Sequence, residues 1–170
     1  MSWIETAFIA LRAAVYAAAF FLLWGWLAYW AHLENDRLGI WLPGWTVGPG
    51  VALMVIGAGL ALACVATFVV RGRGTPAPFD PPREFVASGP YRWVRNPMYV
   101  GGFLLLAGYA LCTSSVLALL VAFAMLGAAH LFAVLYEEPT LRRRFGASYE
   151  AYARSTPRWF PRPPARGRGA

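Results

Sequence analysis

The chain contains no lysine; all 15 of its basic residues are arginine. Acidic residues are scarce, 8 in 170, and charged residues reach only 14% of the sequence, against about 25% in an ordinary soluble domain. There are two cysteines and two histidines. Cys64 and Cys112 fall inside apolar stretches and read as packing residues, not as a disulfide. His32 and His130 stand alone, so no metal-ligand spacing exists. A Ser/His/Asp set, a phosphate-cradling glycine loop and internal repeats are missing as well. Metal hydrolysis, nucleophilic serine chemistry and P-loop phosphoryl transfer therefore have no residues to carry them.

What the chain has in abundance is apolar sequence, 59% of its residues. Arg12 to Glu34 encloses one uncharged run and Thr46 to Val70 is a second. The third, Asn96 to Tyr136, would be roughly 62 Å long as one helix, twice the roughly 30 Å of bilayer hydrocarbon. Thr113-Ser114-Ser115 near its midpoint supplies a polar turn. The expectation is an all-α integral membrane protein with about four transmembrane helices, at about 10–31, 47–70, 98–112 and 116–136. The third of these is the shortest. Residues 1–161 form a single membrane domain, and 162–170 read as a flexible tail. The first span reads as a retained helix, because its apolar core exceeds the about 7–15 residues of a signal-peptide core. Gly57, Gly59 and Ala63 line the second span, which predicts close helix packing.

Beyond Tyr136, Pro139 to Arg154 reads as a C-terminal interfacial helix. Leu141, Phe145, Tyr149 and Tyr152 share one face and arginines occupy the remainder. Gly146 interrupts it and predicts a bend or a close contact. Arg71 to Pro82 is a Gly/Pro-rich loop. With four spans, the N-terminus, the loop before the third span and the tail share one side, which carries 14 arginines against one. The positive-inside rule makes that side cytoplasmic, with both termini facing it, in a bacterial inner membrane. These arginines flank apolar spans and form no basic groove, so anionic lipid headgroups are their partners and nucleic acid is not.

The densest cluster of unusual residues is Gly89-Pro90-Tyr91-Arg92-Trp93-Val94-Arg95-Asn96-Pro97-Met98-Tyr99-Val100-Gly101-Gly102, just before and within the third span. The fourth span ends at Glu137-Glu138. A tight turn makes these two helices antiparallel neighbours, so the clusters meet at the cytoplasmic ends. Together they offer carboxylates, guanidinium groups and aromatic faces, a set that suits a zwitterionic, partly cationic cofactor.

The pattern Gly-Pro-Tyr-Arg-x-x-Arg-Asn-Pro-x-Tyr-x-Gly, a hydrophobic hairpin, then Glu-Glu-x-x-Leu-x-x-x-Phe-Gly-x-x-Tyr-x-x-Tyr and Pro-Arg-Trp resembles the isoprenylcysteine carboxyl methyltransferase family. The related phospholipid N-methyltransferases share its plan. The resemblance covers roughly residues 83–161. It implies an integral membrane methyltransferase that binds S-adenosylmethionine on the cytosolic side and takes a lipophilic or small membrane-accessible acceptor. By resemblance, Tyr91, Arg95, Asn96, Pro97, Met98 and Tyr99 line the cofactor pocket. Gly101 and Gly102 let the third span approach it, and Glu137 or Glu138 holds polar groups of the cofactor. The catalytic candidates, as bases for an amine or thiol acceptor, are Glu137, Glu138 and His130.

The chain departs from the family twice. Asn96 stands where histidine is common, which keeps hydrogen bonding but removes a group that titrates near neutral pH. The arginine that eukaryotic members carry before the acidic pair is absent from His130-Leu131-Phe132-Ala133-Val134, which removes a partner for a prenylcysteine carboxylate. Two other classes fit the same architecture: an NADPH-dependent membrane reductase of the sterol reductase type, and a non-catalytic membrane module. The sequence carries no mark of oligomeric state, and it does not choose between carboxylate, thiol and amine acceptors.

Overall fold

In the computed structural model, residues 3–67, 69–70 and 86–161 are described. The expected loop Arg71 to Pro82 and the tail 162–170 lie outside them. Helix α1 spans Trp3–Leu38, and a short 3-10 turn at Gly44–Thr46 leads into α2, Val47–Thr67. A second 3-10 turn, Gly89–Arg92, precedes α3, Pro97–Cys112. Helix α4, Val116–Phe132, runs through a π-helical turn at Ala133–Glu137 into α5, Glu138–Phe145, and α6 is Ala147–Ser155. No strand occurs among the described residues; a lone antiparallel bridge joins Trp41 to Ser115.

Three of these runs are long and apolar enough to cross a membrane: Ala14–Leu38, Gly44–Thr67 and Val116–Phe145. The charged stretch from Glu137 onward marks where the last of them leaves the apolar zone. Helix α3 holds 16 residues, about 24 Å at 1.5 Å per residue, which falls short of the roughly 30 Å hydrocarbon layer. The membrane character is thus plain, whereas the expected count of four crossings rests on this short helix.

Helix α3 sits at the centre, packed on α2, on α4 and on α1, while α1 also packs along α4. The core is built from small residues. Ala28 of α1 meets Ala107 and Ala110 of α3 and a stripe on α4 formed by Ala118, Ala122, Met125 and Ala129. Large side chains such as Leu22, Val55, Leu62 and Leu135 point outward. Water-driven burial does not hold helices together in lipid, so close approach of small residues has to do it.

The closest approach is between α2 and α3. A Cβ on Gly57 would stand 2.7 Å from the Gly101 carbonyl oxygen, and one on Gly50 would stand 2.8 Å from that of Gly108. Two glycines one heptad apart on each helix therefore pair across the antiparallel contact. This corrects the sequence reading of α2: Gly57 is in the interface, but Gly59 and Ala63 are exposed. Gly101 has its open side against Gly57 and Ala61 of α2.

The end of the bundle bearing Arg37 is closed by polar contacts that periodicity does not show. Asn35 is fully buried; its amide donates to the Ile40 carbonyl at 2.6 Å and its oxygen accepts the Leu117 N–H at 3.1 Å. The first turn of α4 thus receives one cap from α1 and another from Ser115, whose hydroxyl accepts the Ala118 N–H at 3.1 Å.

The glycine pairing can be tested by bulk. Gly57→Leu and Gly101→Leu should each destabilise the detergent-solubilised protein by about 1–3 kcal/mol, the usual cost of overpacking. Gly59→Leu, on an open face, should not. Thermal unfolding of the three variants checks this, and a Gly101→Leu protein as stable as the parent would show that α2 and α3 do not touch there.

Candidate functional site

The opposite end of the bundle brings together four segments: the loop before α3, the first turn of α3, the π-helical turn, and the chain after α6. The local causes are legible. Pro97 opens α3, where its missing N–H costs nothing. Pro139 lies one residue into α5, in a helical run that would otherwise continue from α4. A proline ring clashes with the carbonyl four residues back. The wider π turn, closed by the Glu138 N–H on the Ala133 carbonyl, lets the helix pass through. This joins α4 and α5 into one run, where the sequence reading had a span ending at 136 and a separate helix from 139. The interfacial helix is also split. Gly146, at φ 50°, ends α5 and starts α6, and nothing lies within 4 Å of where its Cβ would be. It is a bend and not a close contact.

The expected meeting of the two motifs is present in the geometry. The Tyr99 hydroxyl donates to Glu137 Oε2 at 3.3 Å, across the α3–α4 hairpin. The Tyr99 ring lies between Phe20 of α1 at 6.4 Å and Trp159 at 6.5 Å, centroid to centroid. Phe20 also stands over Gly102, 3.2 Å from the position of a Cβ there. The Tyr99 ring is therefore edged by aromatic rings from two other parts of the chain, α1 and the segment after α6.

Glu138 has a different environment. It is buried, and Arg158 grips it with Nε on Oε1 at 2.6 Å and Nη2 on Oε2 at 3.1 Å. Arg95 Nη1 reaches Oε1 at 3.1 Å, and Arg142 Nη2 lies 3.8 Å from Oε2. Burial alone would raise its carboxyl, but the Arg158 hydrogen bonds and the charges of Arg95, Arg158 and Arg142 outweigh it and hold it below the ordinary carboxylate range. Glu137, by contrast, has no guanidinium partner among the described residues.

At this end of the bundle the buried atoms Arg95 Nε and Asn96 Nδ2 have no hydrogen-bond partner among the described residues. Asn96 is 7% exposed and caps α3 without using its side chain. Buried donors are nearly always satisfied, so two orphans on consecutive residues mark a place that wants an acceptor. Tyr91 and Met98 pack with Val86 against Leu60 and Cys64 of α2, and Tyr91 lies close enough to Glu137 for the two to interact electrostatically.

His130 is exposed on α4, and its Nδ1 accepts the Trp159 indole N–H at 3.1 Å. Nδ1 is occupied as an acceptor, so a neutral ring carries its proton on Nε2. His130 reaches the aromatic cluster through Trp159, which the sequence shows as the last residue of the Pro-Arg-Trp motif. Phe20 was not foreseen at all, because one phenylalanine in an apolar span carries no distinguishing signal. Beside the cluster lies an apolar cleft of about 460 Å³, lined among others by Leu60, Trp93, Val94, Pro97, Val100 and Trp159. Trp159 is thus shared between the cleft and the Tyr99 ring contact. The aromatic face expected to lie on lipid is partly used within the protein. Tyr149 is 2% exposed, and the Tyr152 hydroxyl donates to the Tyr91 carbonyl at 2.6 Å.

Comparison with known proteins bears on this arrangement. The chain is 39% identical over 86 residues to the nickel-cobalt-cadmium resistance protein NccN of Alcaligenes xylosoxydans xylosoxydans, a match covering 46% of this chain and 37% of that one. The chain therefore matches well under half of that relative's length. The phospholipid methyltransferase family model matches residues 45–148, from the turn before α2 through the glycine pairs, the Tyr99–Glu137 contact and the arginine-bound Glu138 into α6. With more than half of its length matched, the chain belongs to the phospholipid methyltransferase family of integral membrane methyltransferases.

Proposed function

We propose that the protein transfers a methyl group from S-adenosylmethionine to a lipophilic or small membrane-accessible acceptor at the cytoplasmic face. The observation that carries this reading is the donor pair Arg95 Nε and Asn96 Nδ2, which has no partner among the described residues and is close in sequence to the Tyr99–Glu137 contact. A methionine-type carboxylate is an acceptor suited to two such donors, Glu137 suits an ammonium or ribose hydroxyls, and aromatic faces suit a sulfonium or a purine. The residues present therefore fit that group. When bound, it supplies an already electrophilic methyl carbon. The work left to the protein is to align two reactants and to exclude water. The apolar cleft beside Trp159 suits the hydrocarbon part of an acceptor.

An ionised carboxylate acceptor needs no base. An amine or thiol must lose a proton, and Glu137 is the better placed of the candidates. Among the described residues no arginine pairs with it, whereas Glu138 is locked among three. His130 offers its Nε2 face only on the exposed side of α4. Asparagine at position 96 donates and accepts but transfers no proton.

Binding tests the reading directly. Isothermal titration should show S-adenosylhomocysteine binding and no NADPH binding; NADPH alone would favour the reductase class, and neither ligand a non-catalytic module. Glu137→Gln should weaken S-adenosylhomocysteine by roughly tenfold to a hundredfold, the loss of one charge-assisted hydrogen bond of about 1.5–3 kcal/mol. Tyr99→Phe keeps the ring and should cost under about tenfold, with Tyr99→Ala much worse. Parental affinity in Glu137→Gln and Tyr99→Ala together would remove the pocket assignment.

The orientation in an inner membrane, with both termini cytoplasmic, is part of the same proposal and rests on the arginine asymmetry. Asn35 is fully buried and unsuited to labelling, but Asp36 and Ser155 are exposed. In a Cys112→Ala background, with Cys64 fully buried, single cysteines at Asp36 and Ser155 should react from opposite sides. Reaction of both from outside intact cells would overturn the cytosolic site.

A further inference from the structure

The two adjacent carboxylates look equivalent in sequence, and either could hold a ligand. Their surroundings separate them. Both Glu138 oxygens are taken by guanidinium groups from three segments: Arg95 before α3, Arg142 on α5 and Arg158 after α6. Arg142 has a second carboxylate, Glu150, 2.9 Å from its Nε. Glu138 is the carboxylate that Arg95 and Arg158 share.

Arg158 belongs to a strap, residues 156–161, that lies against the loop before α3. The Arg95 N–H donates to the Pro157 carbonyl at 2.8 Å and the Asn96 N–H to the Arg158 carbonyl at 3.3 Å. The next residue, Trp159, sets its ring 6.5 Å from Tyr99 and its indole N–H on His130. The strap thus carries one aromatic side of the pocket, and its tightest link to the bundle is the two-pronged Arg158–Glu138 pair.

We propose that Glu138 is a positioning residue: it holds the strap shut against the Tyr99–Glu137 pocket and so governs ligand entry and release, leaving Glu137 as the carboxylate that meets the ligand. The identity of that ligand rests on the methyltransferase reading above. The physical reason is charge balance. Without the Glu138 charge, Arg95 and Arg158 face each other with no shared anion, so repulsion replaces attraction at the point that fixes Trp159. Lids that close on a pocket act on both binding and release, because each requires opening.

The test uses the full-length protein in lipid nanodiscs with two independent readouts. Hydrogen exchange of peptides covering residues 91–96 and 156–161 reports strap opening. Stopped-flow binding of S-adenosylhomocysteine reports association and dissociation rates separately. Glu138→Gln and Arg158→Gln should each speed exchange in both peptides by about tenfold or more, the scale of a lost charged hydrogen bond, with α2 and α3 unchanged. Both should raise the association and the dissociation rate together. Glu138→Asp, which keeps the charge, should restore much of the protection. Glu137→Gln should leave strap exchange at the parental level and speed only dissociation. Unchanged strap exchange in Glu138→Gln and Arg158→Gln overturns the proposal, as does faster exchange with no gain in association rate. If Glu138→Gln fails to fold, Arg158→Gln, which leaves every helix intact, carries the same test. A parent that does not bind S-adenosylhomocysteine sinks the methyltransferase reading, and the exchange data still decide whether Glu138 closes the strap.

Discussion

One buried carboxylate organises the charged end of this protein. Glu138 stands at 4% exposure and receives guanidinium groups from before α3, from α5 and from after α6. Replacing such a node by apolar residues can cost little, but removing one partner strands a buried charge and typically costs about 3–5 kcal/mol. The node is therefore better understood as a device for specificity of arrangement than as a source of net stability. It fixes which segment lies over which, and the strap, the loop and the end of the α4–α5 run all take their places from it.

The rest of the bundle obeys a different constraint. In lipid there is no gain from hiding leucine, so the helix contacts are made by what is small. Gly50 and Gly57 meet Gly108 and Gly101 backbone to backbone, and alanines carry the α1–α3–α4 contact. This has a consequence for the site. Helix α3 is held by α2 along one side and by α4 along another, so Tyr99 is delivered to Glu137 by packing that begins several turns away. A rigid α3 gives the Tyr99–Glu137 contact its register, and the charged node gives the covering strap its register.

These two constraints explain what the sequence does and does not disclose. Uncharged runs and the Thr113-Ser114-Ser115 turn lead directly to an antiparallel hairpin, and a hairpin brings its two open ends together. That logic suffices to bring the segment Tyr91 to Gly102 and the Glu137-Glu138 pair to the same end of the hairpin. Facing is harder. In a helix that is apolar all round, Gly59 and Gly57 look alike, and only the partner helix decides which is buried. The same ambiguity hid Phe20 and the packing of Gly101 against α2. The π turn was disguised by a different habit. Pro139 after two carboxylates matches an ordinary helix start, although it equally marks a proline inside a helix that continues. Asn35 shows the converse problem: a polar residue near a span end reads as exposed until a carbonyl and an amide from distant segments converge on it.

The difference between the adjacent glutamates follows from geometry that no spacing encodes. Neighbouring residues on a helix point about 100° apart, so Glu137 and Glu138 face different surroundings even before any other chain segment arrives. The π turn sets where those two directions fall. One carboxylate meets a hydroxyl on an aromatic ring, the other meets three guanidinium groups. An ion surrounded by cations is poorly suited to receive a proton, because its neutral form would lose the charge attraction of the guanidinium groups around it. A carboxyl answered, among the described residues, by one tyrosine hydroxyl has acceptor capacity to spare. Local twist and distant arginines together give two adjacent carboxylates different surroundings.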